Sequence, residues 1–464
     1  MLQEFRIESD AIGEVQVPID AAWMAQTQRS LQNFPTGSRM PLGIIRALLN
    51  IKRAAAFANK ANGSLDADKA DAIVATIDEL LSLDDVELRK DFPLSLYQTG
   101  SGTQTNMNTN EVVAHLASQK SGLEILPNDH VNMGQSSNDI FPTAMHIVAT
   151  ESVATVEKAL DHLIAELRIK QDAYWDVIKV GRTHLQDATP LTFGQELSGY
   201  ISSLKHDKEI IEALRPQLYE LAMGGTAVGT GLNANVELGK AIAATVSDIY
   251  GFSFTAESNK FYGLTSHAAM NAVHGAFKSL AADLMKIGND IRFLASGPRG
   301  GYGELKIPAN EPGSSIMPGK VNPTQVEALT MAAVRVFGND TTITMASSQG
   351  NFELNVFKPV IINAFLESSE LLAGTMTGFA DRMIHGLEVN PARMKELLDN
   401  SLMTVTALSP HIGYHAAAEI AQAADKNGTT LKKAALASGD LTEAQYDEWM
   451  DFMAMTNLDR SNKE

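Results

Sequence analysis

The segment with the densest reactive chemistry runs from Gly313 to Pro323 and reads GSSIMPGKVNP. It places the hydroxyls of Ser314 and Ser315, the ammonium of Lys320 and the amide of Asn322 within nine residues. Its prolines and glycines disfavour regular helix or strand, so we expect a long polar loop that can close over a ligand. A solvated linker that contains serines is an equally good interpretation of this segment alone.

A second polar segment, GRTHLQDATP from Gly181 to Pro190, contains Thr183 and His184. A lone histidine is more often structural than catalytic. We place this one among polar residues just before a helix, rather than on an apolar face. That surrounding favours acid–base chemistry.

Two further segments are dense in small uncharged donors: Thr99–Asn108 (TGSGTQTNMN) and Gln135–Asp139 (QSSND). Serine, threonine and asparagine commonly cap helices, so helix capping is the simpler interpretation. The functional alternative is carboxylate binding by hydroxyls, amides and backbone N–H groups. Composition alone does not choose between the two.

The charge balance limits the classes of partner. The 464 residues include 37 Lys and Arg against 55 Asp and Glu, a formal charge of -18. This balance argues against nucleic acid and anionic membranes and favours a soluble enzyme. An anionic substrate would require local positive charge strong enough to outweigh the long-range field.

The sequence has no cysteine, which excludes disulfides and an iron–sulfur cluster held by thiolates. We expect no metal site and no cofactor, because no metal-ligand spacing is evident. The start resembles neither a secretory signal nor a transit peptide, and no apolar run is long enough to span a bilayer. A cytoplasmic location is the expectation, although a processed organellar protein would have the same features.

Helical periodicity dominates the chain. The clearest helix is predicted from Ser266 to Ala295, with apolar residues in alternating steps of three and four. These residues are Met270, Val273, Phe277, Leu280, Leu284, Ile287, Ile291 and Leu294. A second seam repeats every seven residues at Leu197, Leu204, Ile211 and Leu218. Such seams serve either an intramolecular core or a bundle shared between subunits.

We therefore expect a mainly α fold in three parts: an N-terminal, mostly helical domain (1–133), a central domain of long bundled helices (134–390), and a small C-terminal helical domain (391–464). A helix break is expected at Pro391. Polar segments between the helices are predicted to be loops: Gln98–Asn110, Met133–Asn138, Gly181–Pro190, Gly224–Asn235 and Ala295–Pro323.

These segments together resemble the class II fumarases of the fumarase/aspartase superfamily. GSSIMPGKVNP is similar to the superfamily signature, and TGSGTQTNMNTNEV, QSSNDIFPTAMH, GRTHLQDATPLTFGQE and GGTAVGTGLN are similar to other blocks of the class. The resemblance extends over nearly the whole chain, from Ala25 onward. His184 and Gly319 separate the sequence from aspartases, which usually have glutamine and alanine at these positions. One short match would be weak evidence, but five together are not.

The resemblance implies reversible addition of water to fumarate, giving (S)-malate, by a homotetramer whose composite active sites take residues from three subunits. It implies that Ser314 is the base at C3, that His184 handles the water and is oriented by Glu327, and that Lys320 and Asn322 hold an aci-carboxylate intermediate. His184 and Ser314 would come from different subunits. The residues that it implies for substrate binding are Ser101, Gly102, Thr103, Ser136, Ser137, Asn138, Thr183, Ser315, Lys320, Val321 and Asn322.

One stretch departs from the family pattern. Well-known fumarases have a second, non-catalytic dicarboxylate site at a His-Pro-Asn-Asp stretch, which here reads Leu126-Pro127-Asn128-Asp129. Because the histidine is missing, we expect at most a weak second site at Asn128 and Asp129.

Two other functions stay open. A lyase of the same superfamily could act on an amino or substituted-amino succinate, and ammonia release from aspartate would favour it. A helical oligomer that has lost catalysis is the alternative from a different class, and the retained Ser314, Lys320 and His184 argue against it.

Overall fold

The computed structural model describes residues 4–458, so the outermost residues of the predicted parts 1–133 and 391–464 lie outside the described residues. Helices dominate the described chain, as the sequence predicts. The α-helices are α1 (Ala25–Asn33), α2 (Leu42–Ala61), α3 (Ala67–Ser82), α4 (Asp85–Asp91), α5 (Thr103–Ser121), α6 (Ser137–Ala173), α7 (Phe193–Leu214), α8 (Leu238–Tyr250), α9 (Lys260–Thr265), α10 (Ala268–Leu294), α11 (Thr324–Ser347), α12 (Lys358–Phe379), α13 (Pro391–Asn400), α14 (Ser409–Ile412), α15 (Tyr414–Asn427), α16 (Leu431–Ser438), α17 (Glu443–Trp449) and α18 (Phe452–Met455).

Short strands and tight helical turns fill some of the connections. Within residues 4–458 the strands form two-stranded sheets: β1 (Phe5–Asp10) with β2 (Gly13–Pro18), β3 (Ile178–Thr183) with β4 (Gln186–Thr192), β5 (Glu220–Leu221) with β6 (Thr255–Ala256), and β7 (Leu305–Lys306) with β8 (Glu388–Val389). The β5–β6 pair is parallel and the others are antiparallel. Turns of 3₁₀ helix occupy Arg215–Tyr219 and Leu402–Ala407, and π-helical turns occupy Pro127–Val131 and Ala380–Ile384.

The chain divides into two compact units. The first contains the chain up to Glu157 with Glu209–Ser279 and Val334–Leu371, and the second contains Lys158–Lys208, Leu280–Ala333 and Leu372 onward. The divisions fall inside α6, α7, α10, α11 and α12, so each of these long helices contributes residues to both units. The division into 1–133, 134–390 and 391–464 follows chain order and stays a prediction.

The predicted heptad helix is confirmed as α10, and every residue of its seam is at most 7% exposed. The second seam is also buried, but its last residue, Leu218, lies beyond the end of α7 at Leu214. Pro216 lacks an N–H group, and the chain continues there as a 3₁₀ turn. Both seams are buried within the single chain, as the intramolecular alternative requires.

A different helix carries an outward-facing repeat. In α11 the exposed positions Met331, Val334, Gly338, Thr341 and Met345 follow steps of three and four. Met331, Val334 and Met345 are 67%, 61% and 60% exposed, an unusual environment for apolar side chains repeated along one helix. We call these five residues the α11 stripe.

The loop prediction for Gln98–Asn110 is wrong in its second half, because α5 begins at Thr103. The polar residues there are buried inside the helix rather than solvated in a loop. Asn108, for example, donates its side-chain amide to the carbonyl of Asp91 at 3.0 Å. Burial with internal hydrogen bonds can override the weak helix propensity of asparagine and threonine.

Other predicted breaks are confirmed. Residues 307–323 contain neither helix nor strand, and α11 begins at Thr324, directly after Pro323. The break at Pro391 is the start of α13, where Asn390 caps the helix by accepting from the Arg393 N–H. No helix among residues 4–458 has the length and apolar character needed to cross a bilayer.

Candidate active site

The first group of predicted substrate-binding residues lies at two helix N-termini in the first unit. Ser101, Gly102 and Thr103 lead into α5, and Ser136, Ser137 and Asn138 lead into α6. The Ser101 and Thr103 hydroxyl oxygens are 2.7 Å apart. The start of a helix offers unpaired N–H groups and a positive dipole end, which suits a carboxylate.

Gly102 brings these two helix starts together. Its φ is +79°, in the region that favours glycine, and a Cβ there would lie 2.3 Å from the ring of Phe141 in α6. Asn106 in α5 donates its side-chain amide to the Ser137 hydroxyl at 3.0 Å. The structure therefore places the predicted residues of 101–103 and 136–138 beside one another.

Asp139 fixes the turn that presents Ser136 and Asn138. Its carboxylate accepts the backbone N–H groups of Ser136 at 2.9 Å, Gly224 at 3.1 Å and Thr226 at 2.9 Å. Burial raises the pKa of Asp139, while these N–H groups act to lower it. The carboxylate thereby ties the start of α6 to the predicted loop at Gly224–Asn235.

Lys358 lies directly behind the same turn and was missed by the sequence analysis. Its side chain is fully buried, and its Nζ donates to the Asn138 carbonyl at 3.3 Å. Its backbone N–H donates to the Gly100 carbonyl at 3.1 Å. Burial lowers the pKa of Lys358 to about 7, partly offset by Asp139. The available signal was a single lysine in the otherwise apolar run VFKPVII.

Lys52 is a second buried lysine near this turn. Its Nζ donates to Asn132 Oδ1 at 2.7 Å and to Gln135 Oε1 at 3.0 Å. Burial lowers its pKa as well. Unlike Lys358, it has two short hydrogen bonds to side-chain oxygens.

His184 and Thr183 lie on a hairpin in the second unit, so the placement of His184 just before a helix, and the loop over Gly181–Pro190, are wrong. His184 and Leu185 form the two-residue turn between β3 and β4, and α7 begins only at Phe193. Their φ angles are +57° and +59°, as in the turns that favour Asn-Gly. Non-glycine residues in this region cost about 1–3 kcal/mol each, a cost typical of functional sites.

A buried cluster of charges anchors the hairpin. Glu304 is fully buried, and Arg182 Nη2 lies 2.6 Å from its Oε1. Lys179 Nζ lies 2.6 Å from Glu196 Oε2 and 3.3 Å from Glu304 Oε2. The Arg182 guanidinium also stacks over the Tyr302 ring at 4.4 Å. These contacts hold β3, the strand that ends directly before the His184 turn.

The loop from Gly313 to Pro323 closes on itself. The Gly313 N–H donates to the Lys320 carbonyl at 3.1 Å, and the Asn322 side-chain amide donates to the Gly313 carbonyl. A Cβ at Gly313 would lie 2.1 Å from the Lys320 carbonyl oxygen, so this closure requires glycine. Ser314 directly follows Gly313, the residue at which the loop closes.

The Ser314 hydroxyl oxygen accepts two backbone N–H groups. Met317 N donates at 3.0 Å and Ile316 N at 3.3 Å. A hydroxyl held in this way has backbone dipoles directed at its oxygen, which stabilise negative charge on it.

The remaining predicted residues face solvent in the single chain. Thr183, His184, Ser315, Lys320, Val321 and Glu327 are exposed. Among the described residues, neither a hydrogen bond nor an ion pair joins His184 to Ser314 or to Glu327. Asn138 is half-buried, and its side-chain amide donates to the Ala227 carbonyl at 2.7 Å. Within residues 4–458, no group of three or more acidic or histidine side chains has a metal-binding arrangement.

The predicted weak second site lies on the π-helical turn Pro127–Val131. Asn128 and Asp129 are exposed there. An imidazole is present one turn further on: His130 Nδ1 accepts the Leu126 N–H at 2.8 Å, and its Nε2 lies 3.0 Å from Lys69 Nζ. Burial and Lys69 lower the pKa of His130, so this ring is uncharged near pH 7.

Comparison with known proteins shows the family of the chain. A family described as Lyase matches residues 13–338, and one described as Fumarase C C-terminus matches residues 405–457. Fumarate hydratase class II of Brucella suis is 56% identical over 450 residues, covering 95% of this chain and 96% of that protein. The Bacillus subtilis protein of the same name is 55% identical over 454 residues, covering 96% and 97%. The crystal structure of class II fumarase from Schistosoma mansoni superposes with a TM-score of 0.93 at 42% identity, covering 98% of this chain and 99% of that one. The chain therefore belongs to the class II fumarate hydratase family of lyases.

Proposed function

We propose that this chain catalyses the reversible addition of water to fumarate, giving (S)-malate. The observation that carries the proposal is the Ser314 hydroxyl, which accepts two backbone N–H groups in a chain of this family. In the dehydration direction, a base removes a proton from C3, next to a carboxylate. Serine can act as that base only if its alkoxide is stabilised, and the Ile316 and Met317 N–H groups offer that stabilisation.

The carbanion formed at C3 delocalises into the adjacent carboxylate as a dianionic aci form. Lys320 and Asn322 are the proposed partners of this extra charge. Lys320 is exposed on the loop and makes no ion pair among the described residues, so its ammonium is available to a ligand. A fixed cation and amide donors act where charge develops in the transition state.

Hydroxide is a poor leaving group and needs a proton. We assign that proton, and activation of water in the reverse direction, to His184, with Glu327 orienting the ring. The strained turn at His184 and the buried cluster behind it support this role, because they hold an exposed imidazole in one place. The His184–Glu327 interaction is proposed to form only when chains assemble.

The substrate carboxylates are proposed to bind at the α5 and α6 N-termini and at the exposed Thr183 and Ser315 hydroxyls. Hydroxyls, amides and backbone N–H groups bind a carboxylate without the desolvation cost of several buried cations. Local donors of this kind would answer the difficulty of attracting a dianion to a chain with a formal charge of -18.

We further propose a homotetramer in which each active site takes residues from three subunits. The α11 stripe supports this assembly, because a heptad-spaced apolar stripe on a long helix is typical of packing against another helix. His184 and Glu327 are exposed and do not contact each other within one chain. This is consistent with completion of the site by a second chain.

The direct test is loss of fumarate absorbance on incubation with the purified protein. We expect hydration to malate, and we expect it to persist after exhaustive chelation and in air. Ammonia release from aspartate at a higher rate than fumarate hydration would instead identify a lyase of aminosuccinates. Activity that returned only with added iron or magnesium would contradict the cofactor-free mechanism.

A further inference from the structure

Lys358 joins the two segments that are proposed to bind a substrate carboxylate. Its backbone N–H holds the Gly100 carbonyl, beside Ser101, and its ammonium holds the Asn138 carbonyl. The approach is close: a Cβ at Gly100 would lie 1.3 Å from the Val356 carbonyl oxygen. The N-terminus of α12 is thus packed against the loop that starts α5 and the turn that starts α6.

The Lys358 ammonium is poorly compensated for a buried charge. It is 0% exposed, makes one long hydrogen bond of 3.3 Å, and forms no ion pair among the described residues. Its nearest acid, Asp139, is already engaged by three backbone N–H groups. A buried cation without a partner is unfavourable unless a counter-charge arrives. Nothing in the fold itself requires a charge at this position, since a carbonyl could accept from a neutral donor.

We infer that Lys358 is a positioning residue whose ammonium sets the Asn138 turn and supplies positive charge to the carboxylate bound there. This inference rests on the proposed function only in taking a four-carbon dicarboxylate as the ligand. In addition to the exposed Lys320, it assigns a local positive charge that favours a dianion at a chain of net charge -18.

The charge on Lys358 gives the binding a pH dependence. With a pKa of about 7, the ammonium form is complete well below pH 7 and is lost as the pH rises through 7. Asp139 and His267 interact electrostatically with Lys358, and Lys52 and Lys260 interact with the same Asp139. His267 has a pKa of about 3 because of its burial, so it stays neutral from pH 6 to pH 9.

The test is calorimetric titration of succinate, a dicarboxylate that cannot be dehydrated, into the full-length protein from pH 6 to pH 9. If only the ammonium form binds, Kd rises by about tenfold per pH unit above 7, and we expect at least a tenfold rise over the range. The same rise should appear in His184→Asn, which removes the imidazole proposed for the active site as a source of pH dependence. Lys358→Met should bind at least tenfold more weakly at pH 6, with a Kd that no longer depends on pH in this range.

Lys52→Met is the matched control, because it also removes a buried ammonium near Asp139 but leaves Lys358 in place. It should keep the pH dependence, whatever its effect on thermal stability. A Kd that stays flat from pH 6 to pH 9 in His184→Asn overturns the inference even if Lys358→Met does not fold. An unchanged slope in folded Lys358→Met overturns it too. Fumarate turnover by the same wild-type preparation tests the proposed function separately, since turnover with a flat slope removes only the role of Lys358.

Discussion

At the scale of single residues, two adjacent serines have different surroundings and different proposed roles. Ser314 is partly buried and accepts two backbone N–H groups, whereas Ser315 is exposed beside it. In the proposed mechanism, the first carries negative charge on its oxygen and the second donates to a carboxylate. Side chains of the same type therefore lead to different kinetic expectations.

Ser314→Ala should lower kcat by at least about 10²-fold with little change in KM, because a base acts in the transition state and not in binding. His184→Asn should lower kcat by about 10²–10⁴-fold for the same reason. Steady-state kinetics with fumarate and with malate give both parameters. Ser315→Ala is the matched control and should mainly raise KM. Near-normal kcat in Ser314→Ala would show that another group is the base.

The residue types that led to the proposed site residues did not identify two buried charged residues. Lys358 and Glu304 are fully buried charges, and charged residues are so rarely buried that the sequence offers little reason to place them inside, apart from the apolar run VFKPVII around Lys358. Their significance comes from what surrounds them in space: the Asn138 carbonyl for one, and Arg182 with Lys179 for the other.

At the scale of elements, the β3–β4 hairpin that carries His184 is held by buried residues that lie outside the proposed chemistry. Its turn holds two residues with positive φ that are not glycine, and its strand β3 is fastened by the buried cluster at Glu304. Breaking a buried ion pair by removing one partner leaves an uncompensated charge. A substitution in this cluster should therefore disturb the hairpin, although the cluster includes none of the proposed reacting groups.

Glu304→Gln should lower the free energy of unfolding by about 3–5 kcal/mol, because Arg182 would lose its buried counter-charge and Lys179 would keep only Glu196. Activity should fall as well, through disorder of His184. Urea unfolding followed by circular dichroism measures the first effect. The control is Glu396→Gln, which breaks the exposed pair with Arg393 and should cost about 0–1 kcal/mol. Equal stability of the two variants would mean that the cluster does not anchor the hairpin.

The turn at Leu126–Val131 gives a second prediction at this scale. Leu126 lacks an imidazole, and His130 already accepts the Leu126 N–H, so a second dicarboxylate should bind only weakly near Asn128. Crystals soaked in malate should show strong density at the active centre alone. In Leu126→His, density near Asn128 and Asp129 should increase. Strong occupancy of this position in the wild type would contradict the expectation.

Helices were predicted better than the hairpin, for a physical reason. The α10 seam is a long repeat of apolar residues, and all of them are buried. The β3–β4 turn instead reads His184-Leu185 where a hairpin of this kind usually has Asn-Gly, so it carries no local turn signal. The first residues of α5, from Thr103 to Asn110, were predicted to be a loop because many of them are polar. In the structure these polar residues lie in the helix, and most of them are buried and hydrogen-bonded.

At the scale of the whole molecule, one chain exposes His184 and Glu327 to solvent and leaves the α11 stripe uncovered. Both features are explained if chains associate through long helices. Replacing an apolar side chain of the α11 stripe by a charged one should weaken such an interface, because the charge would lose its water on assembly.

Val334→Asp should therefore shift the protein from tetramer to smaller species and remove most activity, as measured by light scattering after gel filtration and by fumarate turnover. Val86→Asp, on the exposed first turn of α4, is the control and should keep the tetramer. A fully tetrameric and active Val334→Asp protein would remove the α11 stripe from the interface.

The central claim is that His184 and Ser314 of different chains complete one fumarate-hydrating site, and co-expression of two inactive variants tests it most directly. Ser314→Ala chains keep His184, and His184→Asn chains keep Ser314, so a mixed tetramer contains some sites with both groups intact. Random assortment at equal dosage makes about a quarter of the sites whole in a symmetric tetramer. Purified mixed tetramers should recover fumarate hydration up to roughly that fraction of wild type, while the two proteins mixed without subunit exchange recover nothing. Verified mixed tetramers as inactive as their parents would contradict the claim and assign both residues to one chain's site.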